Sequence, residues 1–172
     1  ELWKTDGTAA GTVMVKDIIT GSGSGSPGFL TNVNGTLYFT ATDGVNGTEL
    51  WKSNGTAGGT VMVKDIVSGS GNGRPSDLTN VNGTLYFRAT DGLNGYELWK
   101  SDSTALGTLM VKDIFSATST TPRYLTNVNG TVYFQATDGV NGYELWKSDG
   151  TAAGTLMLKD IAPGPSTSFP ID

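Results

Sequence analysis

Residues 78–87 read Leu-Thr-Asn-Val-Asn-Gly-Thr-Leu-Tyr-Phe. Asn82-Gly83 stands between two short apolar runs, and both central residues of a type I′ turn need positive φ, which Asn and Gly supply at least cost. The stretch therefore predicts a hairpin, with residues 78–81 folding back on 84–87. The same dipeptide recurs at Asn34-Gly35 and Asn129-Gly130. Outward along the chain, Asp91-Gly92-Leu93-Asn94-Gly95 makes a tight connection into Tyr96-Glu97-Leu98-Trp99-Lys100. In the other direction lies Thr60-Val61-Met62-Val63-Lys64-Asp65-Ile66, joined by residues 53–59 to the segment that holds Trp51. These segments are short, β-branched or aromatic, and bounded by Gly or Asn, so all of them read as strands.

Glu-Leu-Trp occurs at residues 1–3, 49–51, 97–99 and 144–146, at spacings of 48, 48 and 47 residues. Almost everything around it recurs as well, which divides the chain into repeats 1–48, 49–96, 97–143 and a partial 144–172. A period in this range marks one supersecondary unit stacked many times. Each unit holds four short antiparallel strands in meander order, with no helix candidate. The fold class expected is all-β, with tandem four-stranded antiparallel blades of a β-propeller. A β-solenoid is the alternative, but its coils run parallel, whereas Asn-Gly hairpins make neighbours antiparallel. Trp3, Trp51, Trp99 and Trp146 are expected between blades as core, and the Tyr38-Phe39, Tyr86-Phe87 and Tyr133-Phe134 pairs likewise. The chain amounts to about three and a half blades, fewer than the ~4–8 of a closed propeller. It is therefore expected to sit inside a longer chain or to associate with copies of itself.

Composition excludes several functions. The chain has no Cys and no His. That removes thiolate nucleophiles, Cys or His zinc sites, Ser-His-Asp triads and a disulfide-stapled scaffold. Net charge is -5, with Lys and Asp spread evenly, so no basic stripe exists for a nucleic acid partner. No apolar run is long enough to predict a membrane span. The 25 glycines sit at fixed points of the repeat and read as turn residues, not as disorder. Five Asn-Gly-Thr sequons, at Asn34, Asn46, Asn54, Asn82 and Asn129, follow from the same turn chemistry.

The string Thr-Asp-Gly-x-x-Gly-x-Glu-Leu-Trp-Lys-Ser-Asp-Gly-Thr-x-x-Gly-Thr-x-x-x-Lys-Asp-Ile resembles the ELWxxDGT repeat family of large secreted or surface proteins of bacteria. The resemblance covers essentially the whole chain. It implies an extracellular or cell-surface setting and further copies of the repeat in a longer parent. It implies no known activity. Asn54 stands where the motif has Asp, and Ser103 where it has Gly. An ion held through that Asp would bind more weakly at the Asn copy.

Three chemistries are weighed. For an enzyme, Glu49, Asp65, Asp77 and their counterparts supply carboxylates, and two of them can run a glycosidase. Catalytic residues normally occur once in an asymmetric pocket, whereas these recur in every unit. No catalytic residue is therefore named, and the chain is expected not to be an enzyme. For calcium, Asp43, Asn46 and Glu49 offer oxygens at positions 1, 4 and 7 of a turn, repeated as Asp91, Asn94, Glu97 and Asp138, Asn141, Glu144. The turn resembles a shortened Asp-rich calcium loop of integrin-type propeller blades. Calcium takes about 6–8 oxygens, and the preferred reading is a Gly-bearing turn whose Asp and Asn bond their own backbone. No cofactor other than this possible calcium is expected. For carbohydrate, repeated blades would offer a ring of weak copies with avidity, making cell-surface glycans a possible partner. The units differ most in their connections, 19–27, 67–75 and 115–122. The leading expectation is a structural or adhesive module that presents interaction loops, and the alternative is a glycan-binding, lectin-like propeller.

Overall fold

The computed structural model describes residues 1–116 and 119–168. Part of the third connection and the segment 169–172 lie outside the described residues. Within them the chain is all-β, with no helix and four antiparallel sheets, none of which closes on itself. The first sheet pairs β1 (Leu2–Lys4) with β2 (Val13–Lys16). The second runs in the order β3 (Gly28–Val33), β4 (Thr36–Thr42), β5 (Thr48–Ser53), β6 (Val61–Lys64). The third repeats that order with β7 (Ser76–Val81), β8 (Thr84–Thr90), β9 (Tyr96–Ser101) and β10 (Leu109–Lys112). The fourth does so with β11 (Arg123–Val128), β12 (Thr131–Ala136), β13 (Glu144–Ser148) and β14 (Leu156–Lys159).

The Asn-Gly turns take the expected form. Asn34, Asn82 and Asn129 each have φ 51°, followed by Gly at 85° or 86°, as a type I′ hairpin requires. Sheet and sequence unit are nevertheless out of phase. Each four-stranded sheet takes its first two strands from one Glu-Leu-Trp unit and its last two from the next. The Glu-Leu-Trp strand is third in its sheet, and the short Val-Met-Val-Lys strand lies at the outer edge.

Consecutive sheets pack face to face through three apolar clusters. Leu2, Val15 and Ile18 meet Phe39, Ala41 and Trp51. Tyr38, Leu50 and Val63 meet Phe87, Ala89 and Trp99. Tyr86, Leu98 and Val111 meet Phe134, Ala136 and Trp146. Trp51, Trp99 and Trp146 are buried as expected, whereas Trp3 is 57% exposed, on a face that no sheet among the described residues covers. Each Trp–Phe contact is tilted, with ring centroids 6.4 Å apart for Phe39–Trp51 and Phe87–Trp99, a geometry that aromatic pairs favour.

Lysines sew the sheets together. Lys4, Lys52 and Lys100 donate to the carbonyls of Gly55, Ser103 and Gly150 in the following sheet, at 3.0, 2.9 and 2.8 Å. Lys16, Lys64 and Lys112 donate to Thr60, Thr108 and Thr155 carbonyls at 2.9, 2.7 and 2.8 Å. Lys64 thus belongs to a junction between sheets. First strands join too: Thr31 and Thr79 hydroxyls donate to the Leu78 and Leu125 carbonyls, and Asn80 and Asn127 amides donate back to Asn32 and Asn80 carbonyls.

Candidate functional site

The predicted calcium turns are wired identically. Asp43 Oδ1 accepts the Val45 and Asn46 amides at 2.9 and 2.8 Å, and Asn46 Nδ2 donates to Asp43 Oδ2 at 2.7 Å. Asp91 with Asn94 and Asp138 with Asn141 repeat the arrangement. These amide bonds outweigh partial burial and hold the Asp43, Asp91 and Asp138 carboxyls below their usual range. Asp and Asn are thus brought together in each turn, bonded to each other and to the turn backbone.

The third predicted ligand faces elsewhere. Glu49 is fully buried, and its oxygens accept the Ile66 amide at 2.9 Å and the Gly73 amide at 2.7 Å. Glu97 accepts the Ile114 amide and the Thr120 hydroxyl, at 3.3 and 2.8 Å. Glu144 accepts the Ile161 amide at 3.1 Å. The glutamates therefore pin the connection that leads into the next sheet. Burial pushes Glu49 and Glu97 up to about 7, against the pull of these donors. Among the described residues no group of three or more Asp and Glu is placed to hold a metal ion. Asp43 uses both carboxylate oxygens inside its turn, while Glu49 uses its two on the connection to the next sheet.

The Asp-Gly-Thr turn is bonded to itself as well. Asp6, Asn54, Asp102 and Asp149 each accept through Oδ1 the amide and hydroxyl of the Thr two residues on. Asn54 substitutes for Asp because only one side-chain oxygen is used. A Cβ at Gly59 would lie 2.0 Å from Asn54 Oδ1, which is why the turn closes on Gly. Beside this turn a cavity of about 290 Å³ is lined by Thr36, Lys52, Ser53, Asn54, Val61 and Ser103. A counterpart of about 270 Å³ lies beside Lys100 and Asp102. Three of the polar groups lining the first cavity are already taken: Lys52 by Ser103, Ser53 by Thr60, Asn54 by Thr56.

The side chains that differ between units gather elsewhere, at the start of each sheet's first strand. The register slips by a bulge between Gly28 and Thr31, Ser76 and Thr79, and Arg123 and Thr126. Each bulge places a non-glycine residue in the left-handed region: Phe29 at φ 51°, Asp77 at 54°, Tyr124 at 57°. Ser26, Arg74 and Thr121, which precede Pro27, Pro75 and Pro122, are left-handed as well. Such strain costs about 1–3 kcal/mol per residue and tends to collect at functional sites.

Around each bulge the divergent positions touch. Gly28 pairs with Thr40, Ser76 with Arg88, and Arg123 with Gln135. Arg88 Nε donates to Ser76 Oγ at 3.0 Å, its guanidinium lies 3.8 Å from the Asp77 carboxylate, and it covers the Tyr96 ring at 5.2 Å. Arg123 covers the Tyr143 ring at 5.9 Å. Phe29 and Tyr124 are exposed. Because Thr31 and Thr79 bond the next first strand, the three sets lie side by side on β3, β7 and β11. Sequence reasoning looked for variation in the connections and passed over these positions. Superposing the three complete units and asking where residue class changes inside a strand would have found them. No family model, curated protein or solved structure matches the chain.

Proposed function

We propose that the chain is a non-enzymatic structural and adhesive module of the extracellular space or cell surface. Its stacked sheets act as blades of a β-propeller scaffold, and the divergent edge of the first strands is its interaction surface. The observation that carries this reading is a division of labour. The repeated polar groups are spent inside or between sheets, while the changing ones sit together, strained and partly exposed, on β3, β7 and β11. Repetition of Glu49, Asp43 and their counterparts as hydrogen-bond acceptors in each unit supports a structural role for them. The extracellular setting rests on the resemblance to the ELWxxDGT motif.

A lectin-like reading is favoured by one feature. Tyr96 lies under Arg88, Tyr143 lies under Arg123, and Tyr124 is exposed; aromatic rings with adjacent polar donors suit the apolar face and hydroxyls of a sugar. Binding of the chain to a glycan array and to immobilised extracellular-matrix proteins separates the two readings. Whichever surface binds, Arg88→Ala, Arg123→Ala and Tyr124→Ala together are expected to weaken binding at least tenfold with an unchanged circular dichroism spectrum. Undiminished binding by the triple variant would sink the assignment of this edge.

A further inference from the structure

Asn54 departs from its counterparts Asp6, Asp102 and Asp149 at a residue that lines a cavity. All four turns use the same side-chain oxygen, Oδ1, to hold the following Thr. The exchange therefore leaves the turn intact and alters the other side-chain atom, which becomes an amide Nδ2 in place of a carboxylate Oδ2. Asn54 Nδ2 meets no acceptor among the described residues.

The free groups of this cavity are all able to donate. Lys52 Nζ gives one N–H to the Ser103 carbonyl at 2.9 Å and keeps others. The Thr36 hydroxyl lines the same space with no partner among the described residues, and no carboxylate among them lines it. Ser53 and Ser103 are occupied, by Thr60 and Tyr38. Lys52 and Thr36 are half-buried and Asn54 is exposed, so a solute can reach them. The volume of about 290 Å³ lies at the small end of ligand sites.

The next sheet supplies a comparison within the same molecule. Its cavity of about 270 Å³ is lined by Thr84, Lys100, Ser101, Asp102 and Leu109, in the places of Thr36, Lys52, Ser53, Asn54 and Val61. The one change of charge is Asp102. Its carboxyl lies below the usual range, held there by the Thr104 hydroxyl and amide and, beyond them, by Lys100. Lys100 thus already has an anion in its own cavity, and Lys52 has none lining its cavity.

We propose that the first cavity binds a small carboxylate, free or carried by an acidic sugar, between Lys52, Asn54 and Thr36. One cation with two neutral donors complements a single negative charge, and a charge-assisted bond from Lys52 supplies most of the affinity. The second cavity rejects the same ligand because Asp102 offers it an acceptor of like charge. The site is separate from the divergent edge and does not rest on what that edge binds.

Amide chemical shifts of the chain, followed during titrations at constant ionic strength, test the proposal. Acetate and glucuronate should shift residues 53–59 and Ser103 saturably, whereas neutral glucose should not. Glucuronate binding about tenfold more tightly than acetate assigns the carboxylate to a sugar, and equal binding assigns it to a free acid; either result supports the site. Asn54→Asp should weaken binding about tenfold, the loss of one hydrogen bond to a charged group. Its fold is safe, since Asp6, Asp102 and Asp149 hold the same turn. Conversely, Asp102→Asn should make residues 101–107 respond as residues 53–59 do. No saturation by about 10 mM glucuronate, tenfold above the millimolar end of specific affinity, would overturn the proposal. So would glucose matching glucuronate, unweakened binding by Asn54→Asp, or shifts confined to β3, β7 and β11.

Discussion

Glu49 and Glu97 titrate near 7 because burial penalises their charge more than the Ile66, Gly73, Ile114 and Thr120 donors favour it. Their folded values lie above the ordinary 4.5, so folding takes up protons there. The stability they contribute is complete below about 4.5, declines as pH rises and is lost once pH passes about 7. Asp43, Asp91 and Asp138 act in the opposite sense, since their lowered values cost stability only on further acidification below the usual carboxylate range. Urea midpoints should therefore fall between pH 5 and pH 8, and Glu49→Gln with Glu97→Gln should flatten that fall. A double variant with the unaltered slope would place the titration elsewhere. At this scale the sequence revealed residue types better than partners. Asp43 and Asn46 read as a self-bonded turn because Asx chemistry is local, over three residues. Glu49 was grouped with them by proximity in the chain, yet its partner Gly73 is 24 residues away and only the meander brings it near.

Strands and hairpins were legible because their signals are local: β-branched runs, Asn-Gly turns and bounding glycines. The strand read from residues 84–90 is β8, with the same bounds. The grouping of strands into sheets was not legible, since a unit beginning at Glu-Leu-Trp and one beginning half a period later fit the same sequence. Packing decides between them, and it joins the Leu-Thr-Asn-Val hairpin to the Glu-Leu-Trp strand that follows it. The lysine junctions belong to this scale. Lys64→Met removes a charge-assisted bond to the Thr108 carbonyl and should cost about 1–2 kcal/mol. Lys159→Met, measured at low concentration as a control, should stay within about 0.5 kcal/mol. Thermal or urea unfolding compares the two. Equal losses would mean that these bonds do not hold the sheets together.

A molecule in which each sheet meets only its neighbours has a stability that varies along its length. The first sheet has two strands and an exposed Trp3, whereas β8 and β9 lie between neighbours on both faces. Amide hydrogen exchange should be fastest in β1 and β2 and slowest in β8 and β9. Uniform protection would instead point to a single cooperative unit. The period of the sequence made this stacked architecture readable at once. The divergent edge was not readable, because its residues come from three separated segments of each sheet that only the bulge and the cross-strand register collect.

The polar part of each junction addresses backbone carbonyls: lysine, threonine and asparagine donors reach peptide oxygens of the neighbouring sheet. Lys52 grips Ser103 just as Lys100 grips Gly150. A unit copied, deleted or transplanted in the gene therefore arrives with a connector that already fits, whatever its divergent edge has become. Unequal crossing-over can lengthen or shorten such an array without any compensating change at the joints. Recognition can diversify in one copy while assembly stays fixed in all.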